Sequence, residues 1–438
     1  MSMGQLLASG AAAVFNPGMF LMVCVAIILG TIFGALPGVS ATMAVALGLT
    51  FTYTMEPIPA IVFLVAIYCS SITGGSITAI LFKIPGVPSS APTTFDGYPM
   101  AQRGEAGKAL GVALLASAIG GLFSAIAMFA LSQPLTKAAL QFGPSDLFAV
   151  TEVFKQTDPK KKRLSAEDGV SGGKVNTKMP SLKELWSIKW TMIRCSVVGT
   201  VVGILPGAGA TIASFMCYTM ETKLSKHPEK FGTGIIDGIA ASEASNNAAT
   251  GGAMVPLLSL GIPGGNAAAD MMSALTLKGV QLGPLLLTNQ PTYLSATFMS
   301  MIVTNILMVI VAMAIAKVFA QILAIPYSYL GPIILMLALI GTYGDQMSAT
   351  SVQIMVLAGV LGLIVRACHL NSAAIVLGLV LGNMCEQNFS RGYLMSKGSI
   401  LSMLNPAQHP IAFVLIIVCI VLLVSPVFMS MKKKKAAK

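Results

Sequence analysis

The sequence is short of charge. Only 10% of its 438 residues are Asp, Glu, Lys or Arg, against about 25% in an ordinary soluble protein. That scarcity excludes a soluble enzyme, a secreted scaffold and a disordered chain. Histidine is nearly missing: His227, His369 and His409 stand far apart, so a zinc or haem site has no local support. The seven cysteines are scattered without a C-x-x-C pair and read as small hydrophobes. Positive charge is absent from the first stretch, with no Lys or Arg before Lys83. The leading apolar segment therefore lacks the basic n-region of a cleavable signal, and it runs straight into further apolar sequence. Catalytic motifs are missing too. The glycine-rich G-A-G-A-T at 207–211 has no P-loop lysine, and neither H-E-x-x-H nor G-x-S-x-G occurs.

What is present is apolar: 55% hydrophobic residues and a mean hydropathy of +0.81. Runs near 20 residues suit a helix crossing the hydrocarbon core. They cover 18–36, 58–82, 109–131, 135–154, 190–205, 232–260, 292–322, 330–342, 352–365, 373–384 and 411–427. The pieces 41–53 and 210–220 are too short to span untilted and read as half-helices or re-entrant segments. The expected fold is an all-α polytopic membrane protein of about 10 to 12 transmembrane helices.

The net charge of +11 is concentrated rather than spread. One basic block fills the polar linker 155–189, which contains Lys160, Lys161, Lys162 and Arg163, and another closes the chain from Lys432 to Lys438. Neither block has interleaved aromatics, so nucleic acid is not an expected partner. Basic segments beside apolar runs mark the cytoplasmic face, which places the linker and the C-terminal tail there. The chain then divides into a first transmembrane repeat at 1–154, the linker at 155–189, a second repeat at 190–342, and C-terminal helices with the tail at 343–438.

The two repeats share a pattern. Residues 30–42 read GTIFGALPGVSAT and residues 199–211 read GTVVGILPGAGAT, 169 positions apart. Gly74-Gly75 then answers to Gly251-Gly252, and Ile84-Pro85-Gly86 to Ile262-Pro263-Gly264. Ordered recurrence of interrupted hydrophobic segments points to a duplicated secondary transporter. Expected helix breaks are Pro37-Gly38, Pro85-Gly86, Pro206-Gly207 and Pro263, with Gly74-Gly75 and Gly251-Gly252 with Pro256 splitting the spans that contain them. Half-helix N-termini can meet an anion, while unwound carbonyls and Ser, Thr or Asn oxygens can hold a cation. The expected substrate and ion site is therefore built from Ser70, Ser71, Thr73, Gly74, Gly75, Ser89 and Ser90 of the first repeat. The second contributes Asn246, Asn247, Thr250, Gly251, Gly252, Gly264, Gly265 and Asn266. For any single small residue close helix packing is the better reading; it is the recurrence of the set that favours a site.

Acids inside apolar runs are functional candidates by default. Glu243 and Asp270 are candidates for an ion-binding or gating role, Asp237 reads as a helix-start acid, and Asp96, Arg103 and Glu105 as residues of a solvated loop. Loop charge also predicts that the repeats are inverted. The loop 53–59 carries Glu56 and no basic residue, whereas its counterpart 221–231 carries Lys223, Lys226 and Lys230, which the charge rule assigns to the cytoplasm.

The chain resembles the large membrane subunit of tripartite tricarboxylate transporters, the TctA family. The resemblance rests on G-x-L-P-G-x-x-A-T (34–42), S-S-I-T-G-G-S (70–76), I-P-G-x-P-S-S (84–90), D-G-Y-P-M-A (96–101), L-P-G-A-G-A-T-I-A-S-F (205–215), the run 240–265 and L-G-L-V-L-G (377–382). Two departures stand out. The family's P-E-A-A-N-N reads S-E-A-S-N-N at 242–247, close enough to the expected site to bear on substrate choice, and Asn383 replaces a common proline. The resemblance implies a permease without enzymatic activity or cofactor, multi-pass in the bacterial inner membrane. It implies a small membrane subunit and a periplasmic solute-binding protein as partners. It also implies uptake of citrate-like carboxylates coupled to sodium or protons by alternating access. A passive anion channel is the alternative; paired breaks favour alternating access over a pore.

Overall fold

A computed structural model describes residues 3–139, 179–205, 209–283, 286–322 and 348–367, with isolated positions between 332 and 413. The described residues are helical, with no strand among them. Residues 1–136 and 164–358 form one compact unit, and residues 137–163 and 359–438 a second. The helices discussed below lie in the first, apart from the last residues of α6.

The first half of that unit contains α1 (Met3–Val14), α2 (Pro17–Ala35), α3 (Ala41–Thr52), α4 (Pro57–Phe82), α5 (Thr93–Gln102) and α6 (Ala106–Ala139). A short polar-capped helix, α7 (Leu182–Ser187), leads into the second half. There follow α8 (Lys189–Ile204), α9 (Gly209–Leu224), α10 (Ile236–Leu260), α11 (Asn266–Leu277) and α12 (Pro291–Ile322). Four helices are long and apolar enough to cross a membrane: 17–35, 57–82, 106–130 and 291–316.

Local chemistry sets the boundaries. Asn16 caps α2 by accepting from Met19 N–H at 2.9 Å, with Pro17 at the first helical position. Leu36 precedes a proline and is extended (φ −78°, ψ 119°), which ends α2. Leu205 also precedes a proline and adopts the same conformation (φ −71°, ψ 118°), ending α8. Ser40 caps α3 through Met43 N–H at 3.0 Å. The 12 residues of α3 and of α11 reach roughly 18 Å at about 1.5 Å each, little more than half of the core thickness.

The spans expected to split at Gly74-Gly75 and at Gly251-Gly252 are continuous, as is the helix around Pro256. These glycines permit close approach instead. A Cβ on Gly74 would collide with the Thr31 main chain, and one on Gly252 with the Thr200 carbonyl. The breaks come later, at left-handed residues: Lys83 (φ 60°) closes α4 and Gly261 (φ 69°) closes α10. Each is followed by an isoleucine whose N–H reaches back six residues, Ile84 to Thr78 O at 3.4 Å and Ile262 to Pro256 O at 3.2 Å. Each closure is one residue wider than a Schellman motif, and it is made twice, 178 residues apart. The residues after it are the two I-P-G turns.

Helices α4 and α10 form the interior. Helix α4 is buried at every residue from Ala60 to Leu81, and α10 buries Ser242, Glu243, Ser245, Asn246, Asn247 and Thr250 completely. Apolar side chains face outward from the surrounding helices: Leu21 and Ile28 on α2, Ile126 on α6, Trp190 and Val201 on α8, Ile306 and Ile310 on α12. Apolar outside and polar within is the arrangement a bilayer solvent requires.

Candidate functional site

The glycines fix how closely the outer helices of each half lie on the central one. A Cβ on Gly30 would meet the backbone of Ile67, and one on Gly34 that of Ser71. In the second half, Gly199 lies on Ser245 and Gly203 on Ala249. Both partner sets are displaced by 178 residues (Ile67 to Ser245, Ser71 to Ala249). The I-P-G turns dock the same way. Gly86 lies on Gly75 and the Gly34 carbonyl, and its N–H donates to Gly75 O at 3.2 Å. Gly264 lies on Ala253 and the Gly203 carbonyl. The structural partner of Gly74 is thus Gly252, one residue along from the pairing that sequence spacing suggested.

Short helices pair across the halves. Lys278, which ends α11, donates through Nζ to the carbonyls of Tyr53 and Met55 at 2.8 Å each, at the end of α3. At the other pair, Phe95 of α5 packs edge-on against Phe215 and Tyr218 of α9, with centroids 6.3 and 5.3 Å away. Asp96 is fully buried, against the expectation of a solvated loop. It accepts from Tyr218 OH at 2.8 Å and from the N–H groups of Gly232, Gly234 and Ile235 at 2.7, 2.9 and 3.1 Å. It thereby ties the entry of α10 to α5. Arg103 stays near the surface; it donates to the carbonyls of Thr233 and Gly234 and pairs with Glu105.

Between these pairings lies a buried polar cluster in two adjoining parts. In one, Asn246 Nδ2 lies 3.4 Å from both Ser90 Oγ and Glu243 Oε2. Thr93 bonds Glu243 Oε1 and lies 3.0 Å from Ser242 Oγ. In the other, Asn247 Nδ2 donates to Ser117 O at 2.9 Å and to Asn305 Oδ1 at 2.6 Å. Thr250 donates to Asn247 O at 2.6 Å, and Thr73 shares a 2.7 Å bond with Ser117. Gly121 stands against the Asn247–Asn305 pair, where any side chain would overlap it. Every residue of the cluster is buried. Buried polar groups in lipid demand such partners. One acceptor lacks one: Asn246 Oδ1.

The structure therefore brings Thr73, Ser90, Asn246, Asn247, Thr250 and Glu243 together. Ser89 is buried on the same turn as Ser90. Ser70 and Ser71 bond back to the carbonyls of Ala66 and Tyr68 in their own helix. Gly251 packs on Ser124 of α6. Pro37 and Gly38 (φ 88°) lie in the turn between α2 and α3. Asn266 is exposed at the start of α11, Asp270 lies half-buried one turn on, and Gly265 faces open space. Pro206, Gly207, residues 140–178 and nearly all of the C-terminal spans lie outside the described residues. Sequence reasoning missed Ser117, Thr93 and Asn305. Asn305 carried a usable signal, as an amide in the middle of the apolar run 292–322, whose other amide, Gln321, stands at its end.

Asp237 and Glu221 belong to a separate group near the ends of α8 and α9. Arg194 grips Glu221 with Nε and Nη2 at 2.8 and 2.7 Å, and Thr191 lies within 3.2 Å of Glu221 and 3.1 Å of Asp237. Among the described residues, no group of three or more His, Cys, Asp or Glu could hold a metal ion.

Comparison with known proteins accords with this architecture. The model of the tripartite tricarboxylate transporter TctA family matches residues 20–151 and 145–377. A 52.8 kDa protein from the TAR-I ttuC′ 3′ region of Agrobacterium vitis is 31% identical over 479 residues, covering 94% of each chain. A second A. vitis protein, from the TAR-II ttuC′ 3′ region, is 35% identical over 231 residues, covering 52% of this chain and 94% of its own. No solved structure matches.

Proposed function

Because the chain belongs to the tripartite tricarboxylate transporter TctA family, we propose that it is the large permease subunit of a three-part carrier in the bacterial inner membrane. A periplasmic solute-binding protein delivers a citrate-like carboxylate. A small membrane subunit completes the complex, and a sodium or proton gradient drives uptake.

The observation that carries this reading is the reciprocal contact of short helices, α3 with α11 through Lys278 and α5 with α9 through Phe95, Asp96 and Tyr218, around a buried polar cluster fed by both halves. A duplication whose halves are inverted produces that exchange of partners across a pseudo-twofold axis in the membrane plane. The basic ends of α8 and α9, with Lys189, Arg194 and Lys223, then face the cytoplasm. The Tyr53–Lys278 end faces the periplasm. Ser90, Thr73, Asn246, Asn247 and Thr250 offer neutral donors and acceptors to a carboxylate and to a coupling ion.

The test is uptake into proteoliposomes holding both membrane subunits, with purified binding protein and a panel of di- and tricarboxylates, with and without sodium. Concentrative uptake and counterflow of labelled solute are expected. Downhill equilibration without counterflow would instead identify a passive anion channel.

A further inference from the structure

Glu243 is the one carboxyl of the buried cluster, and its surroundings are unusual. It is fully buried on α10. Its bonding partners are the neutral side chains of Thr93, Asn246 and Ser90, and Ser90 also lies 3.4 Å from the Asn246 amide. No basic side chain bonds to it among the described residues. The charged groups on the helices packed around α10 are committed elsewhere: Asp96 to Tyr218 and the backbone of 232–235, Glu221 to Arg194, Asp237 to Thr191. Of the remaining titratable groups on the helices packed against α10, Tyr68 and Cys69 lie on α4, Tyr98 on α5, Lys189 and Cys195 on α8, Cys217 and Lys223 on α9, and Asp270 on α11; the Lys83 ammonium lies over the Tyr98 ring, and the Cys69 thiol lies against Thr250. Ionised carboxylates do not stay buried without a cation or a full set of donors.

The hydroxyls beside Glu243 can serve either charge state of the carboxyl. Thr93 bonds Glu243 Oε1 and lies 3.0 Å from Ser242 Oγ, where either hydroxyl could be the donor. Ser242 Oγ also lies 3.0 Å from Gly238 O and 3.1 Å from Ile239 O. A hydroxyl both donates and accepts. Thr93 therefore accepts from a protonated carboxyl while donating to Ser242, and donates to a carboxylate when Ser242 donates to it. Neutral partners of this kind do not offset a buried charge as a cation would.

We propose that Glu243 is the proton-coupling carboxyl of the carrier, loaded with a proton whenever the cluster is closed. This rests on the carrier reading above and goes beyond it by naming the ion and its seat. Protonation converts a carboxylate to a carboxyl through one O–H bond, and release returns that proton to water. The charged form requires water, so it exists only when the cluster opens to one side. Thr93 and Ser90 belong to the first half and Glu243 to the second. The proton therefore governs the grip between the halves, and a closed, movable state forms only with the proton aboard. Carboxylate and proton then cross together.

The experiment uses the complete complex in proteoliposomes containing a trapped pH dye, with the membrane potential clamped. Wild type is expected to carry protons inward in excess of those borne by the substrate, and its counterflow is expected to vary with pH. Glu243→Gln should abolish the excess proton movement and flatten the pH profile of counterflow, and Glu243→Asp should restore both. Thr93→Val, which removes the hydroxyl at constant shape, should displace the profile; a packing role would leave it in place. Wild-type uptake driven by sodium alone, or excess proton movement that persists in a monodisperse Glu243→Gln complex, would overturn the proposal. Absence of counterflow in wild type would overturn the carrier reading, and the proposal with it.

Discussion

Adding one methyl group at Gly74 or at Gly252 tests whether the two halves are built to one plan. A Cβ at Gly74 would lie 2.9 Å from Thr31 Cα, and one at Gly252 the same 2.9 Å from Gly203 Cα. Ordinary carbon–carbon contact needs about 3.5 to 4.0 Å. Each outer helix, α2 or α8, must therefore retreat by roughly 1 Å along a glycine-lined interface. Overpacking of this kind costs about 1 to 3 kcal/mol. Alanine regains about 0.5 to 1 kcal/mol over glycine inside a helix. The net expectation is a loss of about 1 to 2 kcal/mol at each position, equal within error in the two halves. Gly265 is the control: its backbone is extended (φ −176°) and nothing lies within 4 Å of its Cβ position. Gly265→Ala should shift stability by no more than about 0.5 kcal/mol. The assay is the melting temperature of detergent-purified protein, followed by the monodisperse peak in size-exclusion chromatography. If Gly74→Ala and Gly252→Ala melt with Gly265→Ala, the close approaches are not what holds α2 on α4 and α8 on α10.

Other expectations follow from the same geometry. Asn247→Ala removes the donor to both Ser117 and Asn305, and Asn246→Ala removes the bond to Ser90; uptake should vanish in both while the purified protein stays monodisperse, and normal uptake would remove them from the site. Asp96→Asn loses a charged acceptor of three N–H groups and should cost about 1.5 to 3 kcal/mol, read as a lower melting temperature with faster amide exchange over residues 228–240. Cysteines at Glu56 and Lys226, in a cysteine-free background, should react with an impermeant thiol reagent from opposite sides of the membrane. Labelling of both from one side would show a parallel duplication. Lys108 and the capping-box contacts of Ser181 lower the Glu184 carboxyl to about 2. A carboxyl depressed in the folded state adds stability above its unfolded value, and that stability fades as the pH falls toward about 2. Being largely exposed, the contact is worth no more than about 1 kcal/mol, and Trp186 fluorescence should report the release of α7 only in strong acid.

How much of this was legible in the sequence depends on whether the deciding interaction was local. Charge scarcity and apolar run length fix the membrane class, because lipid tolerates only helices or closed barrels with satisfied backbones. Pro37, Pro85 and Pro263 marked true interruptions, because proline constrains the residue before it and cannot continue a helix. Gly74-Gly75 and Gly251-Gly252 misled, because in sequence a glycine that breaks a helix looks the same as one that lets two helices touch; the Thr31 and Thr200 carbonyls packed against them decide which it is. Asp96 read as a loop acid because its partners, Tyr218 and the backbone of 232–235, lie more than a hundred residues away. The S-E-A-S-N-N run marked the polar helix by itself. That Asn246 meets Ser90, that Asn247 meets Ser117 and Asn305, and that Glu243 faces a hydroxyl rather than a cation were decided only when the two halves closed on one another, since hydrogen bonds between distant segments leave no trace in the periodicity of either.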